Sequence, residues 1–162
     1  MNRIVAILGI MVIAAIIIIS GSAVATYWAA SVAYAYTYDC TDEDEALGPY
    51  DYKCASVGIT GPPPVLGRLT LDMGPEEHWI PPSTDFVAFG NSSSMPEQYY
   101  ITIWDGGHHE SYYLGYGLDT RNENFTTPPE ETINIMWRYI QIDATSGSSD
   151  PIYGPEIDAV GW

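Results

Sequence analysis

Positive charge is scarce in this chain. Five Lys and Arg residues stand against 21 Asp and Glu, a formal net charge of −16 over 162 residues. Arg3 precedes every acidic residue, so the rest of the chain, with Lys53, Arg68, Arg121 and Arg138 as its cations, carries about −17. Such a surface repels phosphate backbones and sets nucleic-acid binding aside. It also strains a compact domain by self-repulsion unless salt or bound cations screen it.

Cysteine is nearly absent. Cys40 and Cys54 are the only two, and in an exported chain they read as a disulfide closing a short loop. A two-thiol metal site is the weaker reading, because His78, His108 and His109 lie far from finger-like spacing. Catalytic signatures are missing as well: there is no nucleophile elbow, no phosphate-cradling glycine loop and no metalloprotease helix. The carboxylate pairs Glu76-Glu77 and Glu130-Glu131 are sequence neighbours, which does not place them across a glycosidic bond. The sequence therefore predicts a protein that is not an enzyme.

What the chain does have begins at its N-terminus. From Ile4 to Ile19 every residue is apolar or Gly, Arg3 precedes the run, and Ala23-Val24-Ala25 follows with small residues at peptidase spacing. That is the grammar of a signal peptide. Because no charge appears between Arg3 and Asp39, and ~20 apolar residues span a bilayer, a retained membrane anchor is the competing reading, second to cleavage. In both cases the rest of the chain is exported, since the nearby basic residue lies on the N-terminal side. The expected division is residues 1–25 as signal or anchor helix and 26–162 as one acidic domain, extracellular or at the cell surface. Those remaining residues, about 135, suffice for one core.

Within that domain apolar and polar residues alternate with a period of two. Tyr27 to Tyr38, Leu66 to Asp72, Thr84 to Phe89, Tyr99 to Trp104 and Arg138 to Asp143 read as strands, with Ile133 to Trp137 leading into the last. Asp39 to Glu45 and Ala46 to Asp51 read as loop, Gly61-Pro-Pro-Pro64 as a break, and Gly106 to Glu110 as a hairpin loop whose glycines supply positive φ. Short strands separated by Gly, Pro, Asn and Ser clusters predict an all-β antiparallel sandwich.

The closing stretch, Arg138-Tyr-Ile-Gln-Ile-Asp143 followed by a Ser/Gly loop and Glu156-Ile-Asp-Ala-Val160, resembles the end of a discoidin-type, galactose-binding-like jelly-roll module of prokaryotic surface proteins. Tyr27-Trp-Ala-Ala-Ser-Val32 resembles its opening strand and Ala46-Leu-Gly-Pro-Tyr-Asp51 its first loop. Ala55-Ser-Val-Gly58, Leu66 to Leu71, Thr84 to Phe89 and Tyr100 to Asp105 fall in the order that module uses. Trp79-Ile-Pro-Pro-Ser83 and Gly90 depart from its pattern. The resemblance implies a jelly roll, and it implies a structural calcium tying an early loop to the last strand at Asp51 and Asp158 with Glu156 beside them. Carboxylates from distant segments are the right chemistry for that ion, and the competing reading is that Asp158 caps backbone donors.

For ligands, Trp79, Trp104, Tyr112, Tyr113 and Tyr116 fall at or near predicted loops, where exposed rings stack on sugar faces while Asp and Asn take the hydroxyls. Core packing is the alternative for each ring. Asn91 and Asn124 open N-glycosylation acceptor triplets. The function expected is a non-catalytic exported module binding glycan or another envelope component. A structural protein that assembles with copies of itself or with an envelope protein is the second expectation, and a secreted hydrolase the third.

Overall fold

Alternation sets the sheets here. The computed structural model describes residues 25–35, 40–60, 65–90, 96–145, 148–149 and 152–162. The apolar segment expected to be signal or anchor, the break at 61–64 and the acceptor Asn91 lie outside the described residues. Among the described residues no helix is long and apolar enough to cross a membrane.

In chain order the strands are β1 (Ser31–Ala35), β2 (Cys40–Thr41), β3 (Ala55–Val57), β4 (Ile59–Thr60), β5 (Val65–Leu66), β6 (Arg68–Asp72) and β7 (Asp85–Gly90). They continue with β8 (Gln98–Asp105), β9 (Ser111–Leu118), β10 (Asn122–Thr126), β11 (Trp137–Ala144), β12 (Ser148–Ser149), β13 (Ile152–Tyr153) and β14 (Glu156–Gly161). Two five-stranded sheets result, one ordered β1-β6-β11-β8-β9 and the other β10-β7-β14-β3-β2. Every pairing within them is antiparallel. The fold is an all-β sandwich, as the alternation predicts.

The core lies between the sheets. Leu69, Leu71, Ile101, Ile103, Ile140 and Ile142 come from the first sheet, and Phe86, Val57, Ile157 and Val160 from the second; all are fully buried. Each such side chain contributes about 1.5–3 kcal/mol by leaving water. Their polar neighbours along β6, β8 and β11 necessarily point the other way, and this outward face holds the site described below.

Residues 25–30 tie the two sheets together. The Tyr27 and Trp162 backbones exchange hydrogen bonds, Ala29 donates to Val160, and Ala30 donates to Asp72 at the start of the β1–β6 ladder. This segment pairs antiparallel beside the end of β14, its Trp28 ring lies against Phe89, and Asp158 through Gly161 are all buried. β14 thus breaks the two-residue alternation of burial, and its register with β7 shifts between Ile157 and Ala159.

Three expectations change. The acidic stretch read as pure loop contains a 3-10 turn, Glu43–Ala46, whose Ala46 is driven into the core. The region after Glu110, where no strand is expected, is the eight-residue strand β9. In the β8–β9 connection the positive φ falls on His108, at 55°, and not on a glycine. Gly106 is needed for a different reason: a Cβ there would collide with the Trp79 ring.

Candidate functional site

Strand register places the outward residues of the first sheet in three rows. The first runs Ser31, Asp72, Tyr139, Trp104, Ser111; the second Tyr34, Thr70, Gln141, Thr102, Tyr113; the third Arg68, Asp143, Tyr100, Tyr116. Residues opposite each other on one face are cross-strand neighbours, so each row sets its side chains next to one another. The rings concentrate on β8 and β9, and the hydrogen-bonding groups on β6 and β11.

A bulge makes this possible. Thr102 pairs with Tyr113 and Ile101 with Gly115, so one extra residue of β9 is accommodated between them. Three residues apart, Tyr113 and Tyr116 would face opposite sides of a regular strand. With the bulge closed by Gly115 at φ 135°, both lie outward. This is the strand-bending use of a glycine bulge.

The rings are open to solvent: Tyr34 is 47% exposed, Tyr100 40%, Tyr113 54% and Tyr116 61%. Tyr100 and Tyr113 meet edge to face at 5.7 Å between centroids. Between them and β1 lies a hollow of about 580 Å³ lined by Tyr34, Arg68, Thr70, Asp72, Trp104, His108, Tyr139 and Gln141. That volume is in the range that holds small organic ligands.

The floor of the hollow is a continuous polar network across three strands. Trp104 Nε1 donates to Gln141 Oε1 at 3.2 Å, Gln141 Nε2 donates to Asp143 Oδ2 at 2.6 Å, and Arg68 Nε donates to Asp143 Oδ1 at 2.6 Å. At the other end Arg138 holds Asp72 with two bonds of 2.9 and 2.8 Å, and the Gly74 N–H also donates to Asp72. The Arg138 guanidinium lies 4.9 Å from the Tyr139 ring centre and 5.7 Å from that of Trp79, within cation–π range. The Asp72 hydrogen bond pushes the Arg138 guanidinium up from its usual pKa.

The β8–β9 loop supplies one wall. Asp105 accepts the N–H groups of Gly107, His109 and Glu110, and these bonds, that of Glu110 first, hold its carboxyl below the usual range. The loop so fixed swings His108 over the sheet, 4.2 Å from the Tyr139 ring and 6.1 Å from Trp104. A non-glycine residue at positive φ costs energy that the surrounding structure must supply.

Of the five rings named from sequence, Trp104, Tyr113 and Tyr116 come together on this face. Tyr112 does not, since its register partner is the core residue Ile103. Trp79 is half-buried, donates Nε1 to the Gly74 carbonyl at 3.0 Å, and supports the loop through Gly106. Tyr34, Tyr100, Tyr139, Gln141, Asp143 and Arg68 are members of the site that sequence reasoning did not single out. The signal available was the polar half of the alternation on β6 and β11.

The calcium set divides. Asp158 Oδ1 accepts the Asp51 N–H at 3.0 Å, so these two meet. Glu156 instead donates its N–H to Asp119 at 3.2 Å, and Glu97 donates its own at 2.9 Å. Lys53 Nζ already sits 3.3 Å from Glu45 and 3.7 Å from Asp51. Among the described residues no three His, Cys, Asp or Glu side chains are grouped to hold a metal. In this arrangement Asp158 accepts a backbone donor, as the capping alternative expects. Burial, with smaller additions from Asp51 and Glu45, pushes the Asp158 carboxyl up, and among the described residues its Oδ2 has no hydrogen-bond partner. Burial likewise raises Glu97, helped by Asp119 and Glu156.

Cys40 opens β2, and Cys54 immediately precedes β3, the strand that β2 pairs with. Cys40 pairs with Val57, three positions after Cys54. The Cys40 thiol donates to the Arg68 carbonyl at 3.4 Å. Asn124 is exposed on β10.

Comparison with protein families, with curated proteins and with solved structures finds no match.

Proposed function

We propose that the chain is an exported, non-catalytic module of the discoidin-type, galactose-binding-like jelly-roll kind. It binds glycan at the cell surface, with the outward face of the β1-β6-β11-β8-β9 sheet as the ligand surface. One observation carries this reading: open rings and a preorganised amide, carboxylate and guanidinium network share one face of one sheet. Rings offer flat apolar area to the faces of a sugar, and fixed polar groups take its hydroxyls.

Hydrolysis is a poorer account of the same face. Asp72 and Asp143 are each committed to an arginine, which leaves no carboxyl pair arranged as acid and base. Self-assembly is the second reading, favoured by the exposure of Tyr113 and Tyr116 on an edge strand, since edges invite pairing.

Affinity electrophoresis in gels containing soluble polysaccharides tests the proposal. Retardation by at least one polysaccharide, abolished in Tyr100→Ala/Trp104→Ala, is expected. If none retards the protein while sedimentation shows concentration-dependent association, the self-assembly reading replaces it. Export is checked by N-terminal sequencing of the surface fraction: a start at Thr26 marks cleavage, and Met1 or Asn2 a retained anchor. A Cys40–Cys54 bridge, part of the same exported reading, registers as loss of alkylatable thiol until reductant is added.

A further inference from the structure

We infer that the ligand of this face is an uncharged carbohydrate chain of several units, not a single sugar and not an acidic polymer. The inference rests on the glycan reading above and concerns what that glycan must be.

Length comes from register. Trp104 and Tyr100 lie on the same face of β8, four residues apart, with Thr102 between them. At the rise of an extended strand their Cα atoms are separated by about 13 Å. A single pyranose stacks on one of these rings and cannot reach the other. The polar strip follows the same axis, because Tyr139, Gln141 and Asp143 pair with Trp104, Thr102 and Tyr100 in turn. A chain lying along β8 and β11 would have rings beneath it on one side and hydrogen-bonding groups on the other, repeated at each row.

Charge comes from the pairing. Arg68 and Arg138, two of the five Lys and Arg in the chain, both stand on this face, and each is bonded to one of its carboxylates. The face is therefore locally balanced within a protein of net charge −16. An anionic polymer meets the repulsive field of the whole molecule on approach, and a cationic one finds both carboxylates already occupied. Hydroxyls need neither. Gln141 spends one amide hydrogen on Asp143 and its oxygen on Trp104, so its second hydrogen is held in a fixed direction. Only the Nε of Arg68 is bonded to Asp143, and among the described residues its terminal nitrogens remain as donors over the third row. Donors fixed before binding cost little ordering entropy when a ligand arrives.

Calorimetry on the full chain in detergent tests this, using neutral glucan and mannan oligosaccharides from monosaccharide to hexasaccharide, with oligogalacturonates of the same lengths beside them. The expected result is affinity for a neutral series that rises about tenfold or more between monosaccharide and tetrasaccharide, then levels, with little dependence on salt. Trp104→Ala and Tyr100→Ala should each flatten the length dependence. Equal affinity for monosaccharide and hexasaccharide would overturn the chain-length inference while leaving the glycan reading intact. Preference for oligogalacturonates, with salt-sensitive binding, would overturn the neutrality. Silence toward every carbohydrate here and in affinity electrophoresis would remove the glycan reading beneath it. Tyr116→Ala abolishing a dimer would show that a second copy occupies the face, and would also overturn the inference.

Discussion

Tyr113 and Tyr116, three residues apart on β9, face the same side of the sheet because Gly115 closes a bulge between them. Two of the exposed rings thus depend on one backbone conformation. Gly115→Val has free space around its Cβ, so its cost is conformational, about 1 to 3 kcal/mol. Urea melts should show that loss. If the variant keeps the bulge its ligand affinity will survive; if β9 slips to regular pairing, one tyrosine turns inward and affinity falls with stability.

Trp79 and Trp104 separate support from contact. Trp79→Phe removes the hydrogen bond to Gly74 and loosens the rest of the β8–β9 loop on its ring, so it should lower the melting temperature more than Trp104→Phe does. Trp104→Ala should cost about tenfold or more in ligand affinity, as a central aromatic contact does, with a smaller loss of stability. The reverse ranking in melts and titrations would place the ligand at the loop end of the sandwich.

Arg138→Ala leaves Asp72, 9% exposed, without its guanidinium. A charge-assisted pair of this kind is worth on the order of 2 kcal/mol, and the loss should persist in high salt. Arg121 pairs with Glu123 at 2.7 Å from an exposed position. Arg121→Ala should matter less and lose its effect as salt rises.

Asp158 gives a pH dependence of definite sign. Its folded pKa is raised, first by burial, so the folded state binds a proton more tightly than the unfolded chain, whose aspartates titrate near about 3.9. The protonated carboxyl is fully accommodated below that value, and stability is lost as pH rises through the folded pKa. Relative to Asp158→Asn, the wild-type protein should therefore lose stability between about pH 4 and neutrality, as read from melts across that range. Glu97 acts in the same direction. A cation seated at Asp158 would invert the trend, and added calcium would then raise the melting temperature.

The sheets were largely legible in the sequence, the site only in part. β6, and β11 from Tyr139 onward, alternate apolar with polar residues, so their core halves, Leu69, Leu71, Ile140 and Ile142, could be assigned before any coordinates. Their polar halves carry no mark distinguishing a ligand surface from ordinary solvated residues, and Gln141 or Asp143 becomes notable only when register brings it beside Trp104 and Arg68. β9 was hidden by its own bulge, which destroys the period of two and, with Gly115 and Gly117, imitates a loop. The burial of Asp158, with the Asp51 N–H bonded to it, is a tertiary fact without a local pattern.

The most direct test of the account is amide chemical-shift mapping during titration with the tightest neutral oligosaccharide. It predicts perturbations concentrated at Thr102, Trp104, Tyr113, Gln141 and Asp143, with β7 and β14 unmoved. Perturbations clustered on β7, β14 or the Asp51 loop, with the outward face of the first sheet unchanged, would contradict it.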